Sequence, residues 1–220
     1  MDRRELQAFL RASAGHRLFP ALWVAAVTGM RRNELLGLRW DDFDAAAATL
    51  SINRGLIAVA YELHETRGKT RNARRRIDLD ATTVEILTMW RGWQRAEQHA
   101  VGIATDGWIF TDGSGEPIHP HAISQTFERL ARRAGVKVIR LHDLRHTHGT
   151  LLIAAGVPVK VVSERLGHAT PVFTIATYQH VLPGMQADAA RVFERLVAPA
   201  VLPDTDSTEK TRLKPREKSA

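Results

Sequence analysis

Along most of this chain apolar residues recur every three or four positions, the spacing that places them on one face of an α-helix. The most apolar such segment covers residues 17–27, where Leu18, Leu22 and Ala26 belong to a helix predicted to be largely buried. Residues 185–197 show the apolar stripe of an amphipathic helix. The remaining segments with this spacing predict helices over residues 2–14, 31–38, 81–98, 119–134 and 142–155, and a helix that opens at Pro158 and ends at Gly167.

One region between these helices has a β-rich composition. We interpret its segments as strands of a small antiparallel sheet, preceded by a turn at residues 41–44. The predicted fold is therefore mainly α with a small antiparallel β-sheet, an α+β fold in one domain over residues 1–200. Residues 201–220 are polar and lack periodicity, so we expect a disordered tail. The predicted strands cover residues 49–53, 56–61 and 74–79.

The composition changes this picture mainly through its charge. The 220 residues include 31 Lys and Arg against 24 Asp and Glu, a net charge of +7 that favours a polyanionic partner such as nucleic acid. A basic but otherwise ordinary surface would explain the same number. The absence of cysteine excludes disulfides, Cys-ligated zinc and thiol catalysis, and fits a reducing cytoplasm. No apolar run reaches about 18 residues, so we expect neither a transmembrane helix nor a membrane partner.

The first candidate for chemistry lies where the helix over residues 31–38 begins. Gly29 precedes this helix start, where free backbone N–H groups can bind an anion. Arg31 lies in the first turn and Glu34 follows three residues later on the same face, so the carboxylate could hold the guanidinium rigid. The alternative is an exposed salt bridge without function.

The second candidate is the strongly basic segment over residues 66–76, in which six of eleven residues are Lys or Arg and none is acidic. On a hairpin, such a run would follow a nucleic-acid backbone or groove. A lysine at the hairpin tip could also protonate a leaving oxygen, because neighbouring arginines lower its pKa. The alternative is a solvated loop.

The third candidate is the segment from His142 to Tyr178. His142 and Arg145 are three residues apart near a helix start, so both can reach one anion. His168 follows Gly167, where a fixed turn can direct its ring. Tyr178 is one of two tyrosines and precedes a Pro-Gly break, which makes its phenol a candidate nucleophile.

Other interpretations of this segment remain open. A lone tyrosine is commonly a core or interface residue. The spacing of His142 and His146 can bind zinc, but no glutamate follows His142 directly, so a metal site is not favoured. We expect His146 and His148 to pack or to form hydrogen bonds. The chain contains neither a serine elbow nor a Walker-type glycine loop, which argues against a hydrolase or an NTPase.

Taken in order, the three candidates resemble the catalytic domain of the tyrosine recombinases, or phage-type integrases. The resemblance covers about residues 5–197 and implies the fold of DNA breaking-rejoining enzymes. The segments that carry it are Thr28-Gly29-x-Arg31-x-x-Glu34-Leu35, the lysine hairpin closing with Arg76-Ile77-Asp78-Leu79, Leu141-His142-Asp143-Leu144-Arg145-His146, Leu166-Gly167-His168 and Thr177-Tyr178.

The resemblance also implies a role for each of these residues. Arg31, Arg145 and His168 would bind the scissile phosphate, with Glu34 supporting the first arginine. His142 would assist proton transfer at the nucleophile. Lys69 would protonate the leaving 5′ oxygen, and Tyr178 would attack to form a 3′-phosphotyrosyl link. No metal and no cofactor are implied. The expected DNA contacts of the basic segment are Arg67, Arg71, Arg74 and Arg75.

The implied function is site-specific DNA recombination, as in DNA integration by a mobile genetic element. The implied partners are double-stranded DNA with a specific recombination site, three further copies in a tetramer on paired sites, and accessory DNA-bending proteins. Such an enzyme would be bacterial or phage-encoded and act in the cytoplasm at the nucleoid.

Several points remain open under this resemblance. Relatives carry a separate N-terminal core-binding domain, which we expect to be absent from this chain. The helix over residues 185–197 would pack on a neighbouring subunit or on its own core. A catalytically silent DNA-binding relative of the fold and a type IB topoisomerase-like enzyme are the alternative functions.

Overall fold

The computed structural model describes residues 1–67, 74–100, 102–103, 107–168, 170–178 and 185–201. The chain divides into a first compact unit, Met1–Val181, and a second, Leu182–Ala220. The helices of the first unit are α1 (Arg3–Ser13), α2 (Phe19–Thr28), α3 (Arg32–Leu36), α4 (Ala81–Ala100), α5 (Pro120–Arg133), α6 (Asp143–Ala154), α7 (Val159–Leu166) and α8 (Pro171–Tyr178).

All the helices predicted for this unit are present within a few residues of their expected bounds. The expected end of α7 is confirmed, because Gly167 adopts a left-handed conformation with φ +69°. Helix α8 was not predicted. It spans only Pro171–Tyr178, and its exposed positions are mostly apolar whereas its buried positions are Thr174 and Tyr178, so it shows no buried apolar stripe to detect.

The predicted β-region is present, but it forms two sheets instead of one. The first joins β1, β2 and β5 in that order, and the second is the hairpin of β3 and β4. The hairpin turns at Ala60 and Tyr61, both with positive φ, as a tight two-residue hairpin requires. The strands are β1 (Phe43–Asp44), β2 (Thr49–Ile52), β3 (Arg54–Val59), β4 (Glu62–Arg67) and β5 (Arg75–Asp78).

Two expectations are corrected by this topology. Phe43 and Asp44 were expected in a turn but pair antiparallel with Leu50 and Thr49. The basic segment was expected at a hairpin tip. It instead connects β4, which pairs with β3, to β5, which pairs with β2, so it links two different sheets.

The core contains buried side chains from helices α2, α3 and α5 and from both sheets. Leu22, Leu35 and Phe127 are fully buried there, together with Leu50 from the sheet. Phe9 of α1 packs on Phe127 with ring centroids 4.9 Å apart. Because both α2 and α3 contribute buried residues to this core, the link between them that carries Gly29 and Arg31 has a defined position.

The second unit contains α9 (Met185–Val201), which confirms the predicted last helix. Its exposed apolar side chains include Val192, Phe193 and Leu196. Residues 202–220, where we expect a disordered tail, lie outside the described residues. In the part of the chain that the structure describes, no helix has the length and apolar character needed to cross a membrane.

Candidate active site

Arg31 is the N-cap residue of α3, and its side chain is held by Glu34. The backbone N–H of Arg31 donates to Glu34 Oε2 at 2.8 Å, and its Nη1 donates to Oε1 at 2.8 Å. Nη2 donates to the carbonyl of Gly167 at 3.3 Å. Glu34 is only 6% exposed, so this pair is not the fully exposed salt bridge that the sequence left open. The contacts direct Arg31 toward the turn that precedes His168.

Arg75, which the sequence led us to expect at the DNA, has its guanidinium held by contacts within the protein. Nη1 and Nη2 donate to the two carboxylate oxygens of Glu34 at 3.1 and 2.9 Å, and Nε donates to the carbonyl of Arg165 at 2.9 Å. Its side chain is 8% exposed. The guanidinium is therefore directed at Glu34 and the Arg165 carbonyl.

Glu34 therefore receives hydrogen bonds from two arginines. Burial raises the pKa of the Glu34 carboxyl, but the hydrogen bonds and charge of Arg75, with those of Arg31, outweigh burial and leave it below its usual range. The carboxylate is ionised at neutral pH and offsets part of the positive charge gathered around it.

Arg145 lies on α6 and is 5% exposed. Its Nη1 donates to the carbonyl of Gly29 at 2.9 Å, whereas its buried Nη2 has no hydrogen-bond partner among the described residues. Burial, followed by the charge of Arg31, lowers the pKa of Arg145 to about 10, so the group stays charged at neutral pH. A buried, charged donor without an acceptor is suited to binding an anion.

His168 follows the left-handed turn and is fixed by α8. Its Nδ1 lies 2.7 Å from Thr174 Oγ1, and its ring packs edge-on against Phe173 at 4.8 Å. Burial, followed by the charges of Arg145 and Arg31, lowers the pKa of His168 to about 4. The ring is therefore neutral at pH 7, and the charges of the neighbouring arginines make its surroundings positive.

His142 is the N-cap residue of α6, and its ring meets that of His146 edge-on at 5.8 Å. Burial lowers the pKa of His142, as do the neighbouring His146 and Arg145. A neutral imidazole in this position can accept a proton. Across the described ranges, no group of three or more His, Cys, Asp or Glu is arranged to hold a metal ion.

Tyr178 is the last residue of α8, and its side chain is buried against α6. Its hydroxyl donates a long hydrogen bond, 3.5 Å, to the carbonyl of Arg145, and its ring lies 6.1 Å from that of His146. Burial raises the pKa of the Tyr178 phenol, and the charge of Arg145 opposes this in part. The hydroxyl is therefore protonated and directed at the helix backbone.

The predicted residues of the basic segment are only partly described. Lys69 and Arg71 lie outside the described residues. The backbone of Arg67 pairs with Arg54 at the end of the hairpin. Arg74 is exposed and lines a cleft together with Lys160 and His168.

Sequence reasoning did not find the role of Arg165. This side chain donates to the carbonyls of Val27 and Asp78 at 3.0 Å and to His148 Nε2 at 3.3 Å. The Nδ1–H of His148 donates to the carbonyl of Ala26 at 3.1 Å, so the expectation that His148 forms hydrogen bonds is confirmed. Local spacing could not reveal these contacts, because they join residues up to 138 positions apart.

The site therefore combines two arginines, neutral histidines and a buried carboxylate. At its centre is one hydrogen-bond donor, Arg145 Nη2, that has no acceptor among the described residues. Arg31 and Arg145 are close enough for each charge to affect His168. Such a site can bind a phosphate group and stabilise negative charge that develops on its oxygens. The phenol of Tyr178 contacts the backbone carbonyl of Arg145.

The chain is similar in sequence to known integrases and recombinases. A profile described as the phage integrase family matches residues 1–184. A "Tyrosine recombinase XerC-like" protein of Caldanaerobacter subterraneus subsp. tengcongensis is 32% identical over 206 residues, 87% of this chain and 53% of that protein. The ICEBs1 integrase of Bacillus subtilis is 30% identical over 176 residues, 79% of this chain and 48% of that protein. The chain thus spans about half the length of these relatives.

Solved structures show the same fold. The Tn1549 transposon integrase in complex with transposon right end DNA superposes with a TM-score of 0.73 at 21% identity, over 90% of this chain and 65% of that one. XerA recombinase gives a TM-score of 0.67 at 19% identity, over 86% and 62%. The predicted fold class is confirmed by these two neighbours.

Proposed function

The chain belongs to the phage integrase family of tyrosine recombinases, and on that premise we propose that it cleaves and rejoins DNA strands through a covalent link to Tyr178. The substrate would be double-stranded DNA with a specific recombination site, bound by four copies on paired sites. The net charge of +7 supports a DNA partner. The Tn1549 integrase, which has this fold, is bound to transposon DNA in its structure.

In the proposed reaction the Tyr178 oxygen attacks the scissile phosphorus. A phosphorus–oxygen bond to tyrosine forms as the bond to the 5′ oxygen breaks, and the phenolic proton passes to His142. Lys69 gives a proton to the departing 5′ oxygen. A 5′-hydroxyl of another strand then attacks the phosphotyrosine and reverses each transfer, so the phosphate bond energy is kept without an external energy source.

The observation that carries this proposal is the buried Nη2 of Arg145, which has no acceptor among the described residues. Leaving a buried charged donor without a partner is costly, and a phosphate oxygen would supply the missing acceptor. Arg31 and His168 would contribute further donors to the same phosphate. Removing one donor of this kind typically costs about 10²–10³ in rate.

Tyr178 must change position to act as the nucleophile. Its hydroxyl is directed at the Arg145 carbonyl, and burial raises the pKa of the phenol. A phenol with a pKa near 10 or above needs a base or a positive field to react at neutral pH. We infer that the phenol leaves its contact with α6 when DNA binds, and that His142 then accepts its proton.

End-labelled, nicked duplexes from the DNA that flanks the gene test this proposal directly. The chain should produce a labelled protein–DNA band that survives denaturation, and Tyr178→Phe should not. A band that persists in the Phe variant would exclude Tyr178 as the nucleophile. Salt-sensitive DNA binding without any band would favour the silent DNA-binding alternative. Relaxation of supercoiled DNA without recombinant products would favour the topoisomerase-like one.

A further inference from the structure

We propose that Arg75 is a positioning residue of the phosphate site, which holds Glu34 in place and thereby fixes Arg31 and the turn before His168. This inference deepens the proposed function and rests on it. It replaces the DNA contact that the basic segment suggested for the same side chain.

The first support is the geometry of the Arg75 guanidinium. Its two terminal nitrogens bind the two oxygens of Glu34, and its Nε binds the carbonyl of Arg165. The side chains of Arg75 and Glu34 are each 8% exposed. Two parallel hydrogen bonds between a guanidinium and a carboxylate fix the orientation of the carboxylate as well as pairing its charge. The ammonium group of a lysine could pair the charge but could not fix the orientation in this way.

The second support is that Glu34 is shared. Its Oε1 accepts from Nη1 of Arg31 and of Arg75, and its Oε2 accepts from the Arg31 backbone and from Arg75 Nη2. Without Arg75 the carboxylate would be held by Arg31 alone. The Arg31 side chain is 38% exposed, so it would then have room to adopt other rotamers.

The third support is the close packing of Arg75 on Gly167. A Cβ atom at position 167 would lie 2.6 Å from Arg75 Nη1, and the Gly167 carbonyl accepts a hydrogen bond from Arg31. The turn that presents His168 therefore lies between two arginines joined through Glu34. Because Arg75 opens β5, six residues after Lys69, it also anchors the end of the segment that carries the proposed acid.

A positioning residue and a DNA contact make opposite kinetic predictions. A side chain that neutralises a DNA phosphate reduces the salt dependence of binding by about one charge when it is removed. A positioning residue instead changes the rate of reaction of bound DNA and leaves the salt dependence as it was. The reaction rate is measured on a variant that keeps the charge, and the salt dependence on a variant that removes it.

The experiment compares substitutions at Arg75 with the same substitutions at Arg76. Arg76 is the next residue of β5, on the opposite face, with an exposed side chain. Arg75→Lys keeps the charge but cannot bind Glu34 and the Arg165 carbonyl together. We expect its single-turnover rate of covalent-complex formation to fall about 10²-fold, the usual effect of misplacing a group by about 1 Å. Its DNA affinity should match wild type, as should the salt slope of Arg75→Met, which removes the charge, and all properties of Arg76→Lys.

Two results of this comparison would overturn the inference. One is a salt slope reduced by about one charge in Arg75→Met while Arg75→Lys reacts at the wild-type rate, which would make Arg75 a contact to the DNA backbone. The other is an unchanged rate together with an unchanged slope. Failure of wild type to form any covalent complex would refute the proposed function instead.

A second measurement does not depend on activity. The groups that face the Glu34 carboxylate are Arg31, Arg75 and Arg145. A ¹³C NMR titration should show a higher pKa for Glu34 in Arg75→Met, and also in Arg75→Lys if the Met variant does not fold. The pKa of Glu34 should be unchanged in Arg76→Met. An unchanged pKa in the Arg75 variants would show that Arg75 does not hold Glu34.

Discussion

The hydroxyl of Tyr178 occupies the space that a side chain at Gly149 would need. A Cβ atom at position 149 would lie 2.5 Å from this hydroxyl, closer than real contacts allow. The ring therefore reaches the backbone of α6 only because this helix has a glycine there. The phenol of Tyr178, the proposed nucleophile, is therefore held against α6 one helical turn from Arg145. Small changes of side chain at position 149 should alter how firmly the phenol is held.

Gly149→Ala should displace the Tyr178 ring from α6. Overpacking of this kind costs about 1–3 kcal/mol, and about 1.4 kcal/mol changes a population tenfold. We therefore expect covalent-complex formation about tenfold faster than in wild type, because the position against α6 is disfavoured. Nitration followed by mass spectrometry reports the exposure directly: Tyr178 should react faster in the variant, whereas Tyr61, 93% exposed, should be unaffected.

Gly92→Ala is the matched control. Gly92 lies inside α4, and a Cβ there would meet no atom within 4 Å. Alanine should stabilise the helix by up to about 1 kcal/mol without changing the nitration of Tyr178. Equal nitration and equal cleavage rates in wild type and Gly149→Ala would show that the glycine does not control the tyrosine.

Thr174→Val should slow cleavage without weakening DNA binding. The Thr174 hydroxyl is buried and lies 2.7 Å from His168 Nδ1, so it orients the ring. Loss of an orienting partner of this kind commonly costs about tenfold or more in activity. Thr88→Val, which removes an exposed hydroxyl bonded only to its own helix, should cleave at the wild-type rate. A Thr174 variant as fast as wild type would show that this contact is dispensable.

Lys69→Ala should be rescued by a better leaving group. General acid catalysis contributes about 10²–10⁴-fold, so cleavage of ordinary DNA should fall by at least the lower figure. A substrate with sulfur in place of the 5′ bridging oxygen releases a thiolate, which needs no proton because thiols have pKa values near 8.5. This substrate should be cleaved at the wild-type rate by the alanine variant. Arg31→Lys should stay slow on both substrates, because it acts on the phosphate. Absence of rescue would assign the acid to another residue.

The protein should lose stability as the pH falls into the mildly acidic range, because His148 is then protonated more readily in the unfolded chain than in the folded protein. Burial, followed by the charge of Arg165, lowers the pKa of His148 from 6.5 to about 4. Because the folded state resists protonation, this contribution to stability is complete above pH 6.5 and is lost as the pH falls toward 4. The loss is about 3–4 kcal/mol at most, since each pKa unit corresponds to about 1.4 kcal/mol.

Chemical denaturation between pH 7 and pH 4 measures this effect as the slope of the unfolding free energy against pH. In His148→Asn, which keeps a donor for the Ala26 carbonyl, the slope should be shallower than in wild type. His168, whose pKa is also lowered to about 4, should retain its own part of the slope. Equal slopes in both proteins would contradict the assignment to His148.

The sequence by itself determined the α+β class, the family and the described helices other than α8. Helix α2 and the end of α7 at Gly167 follow from local spacing and local backbone preference, which a window of a few residues contains. The family follows from short segments whose residue types and order are specific together. Arg31 and Glu34 could likewise be paired from sequence, because three residues along a helix bring them onto one face.

Only the tertiary structure decided which distant residues meet. Arg75 and Glu34 are 41 positions apart, and the hydroxyl of Tyr178 meets the carbonyl of Arg145 across 33. In sequence Arg75 was one more cation in a basic segment, and Gly149 was an ordinary small residue in α6. Their contacts depend on how the first sheet and helices α6, α7 and α8 pack, because burial and hydrogen bonding between separate elements leave no periodic signal in either segment.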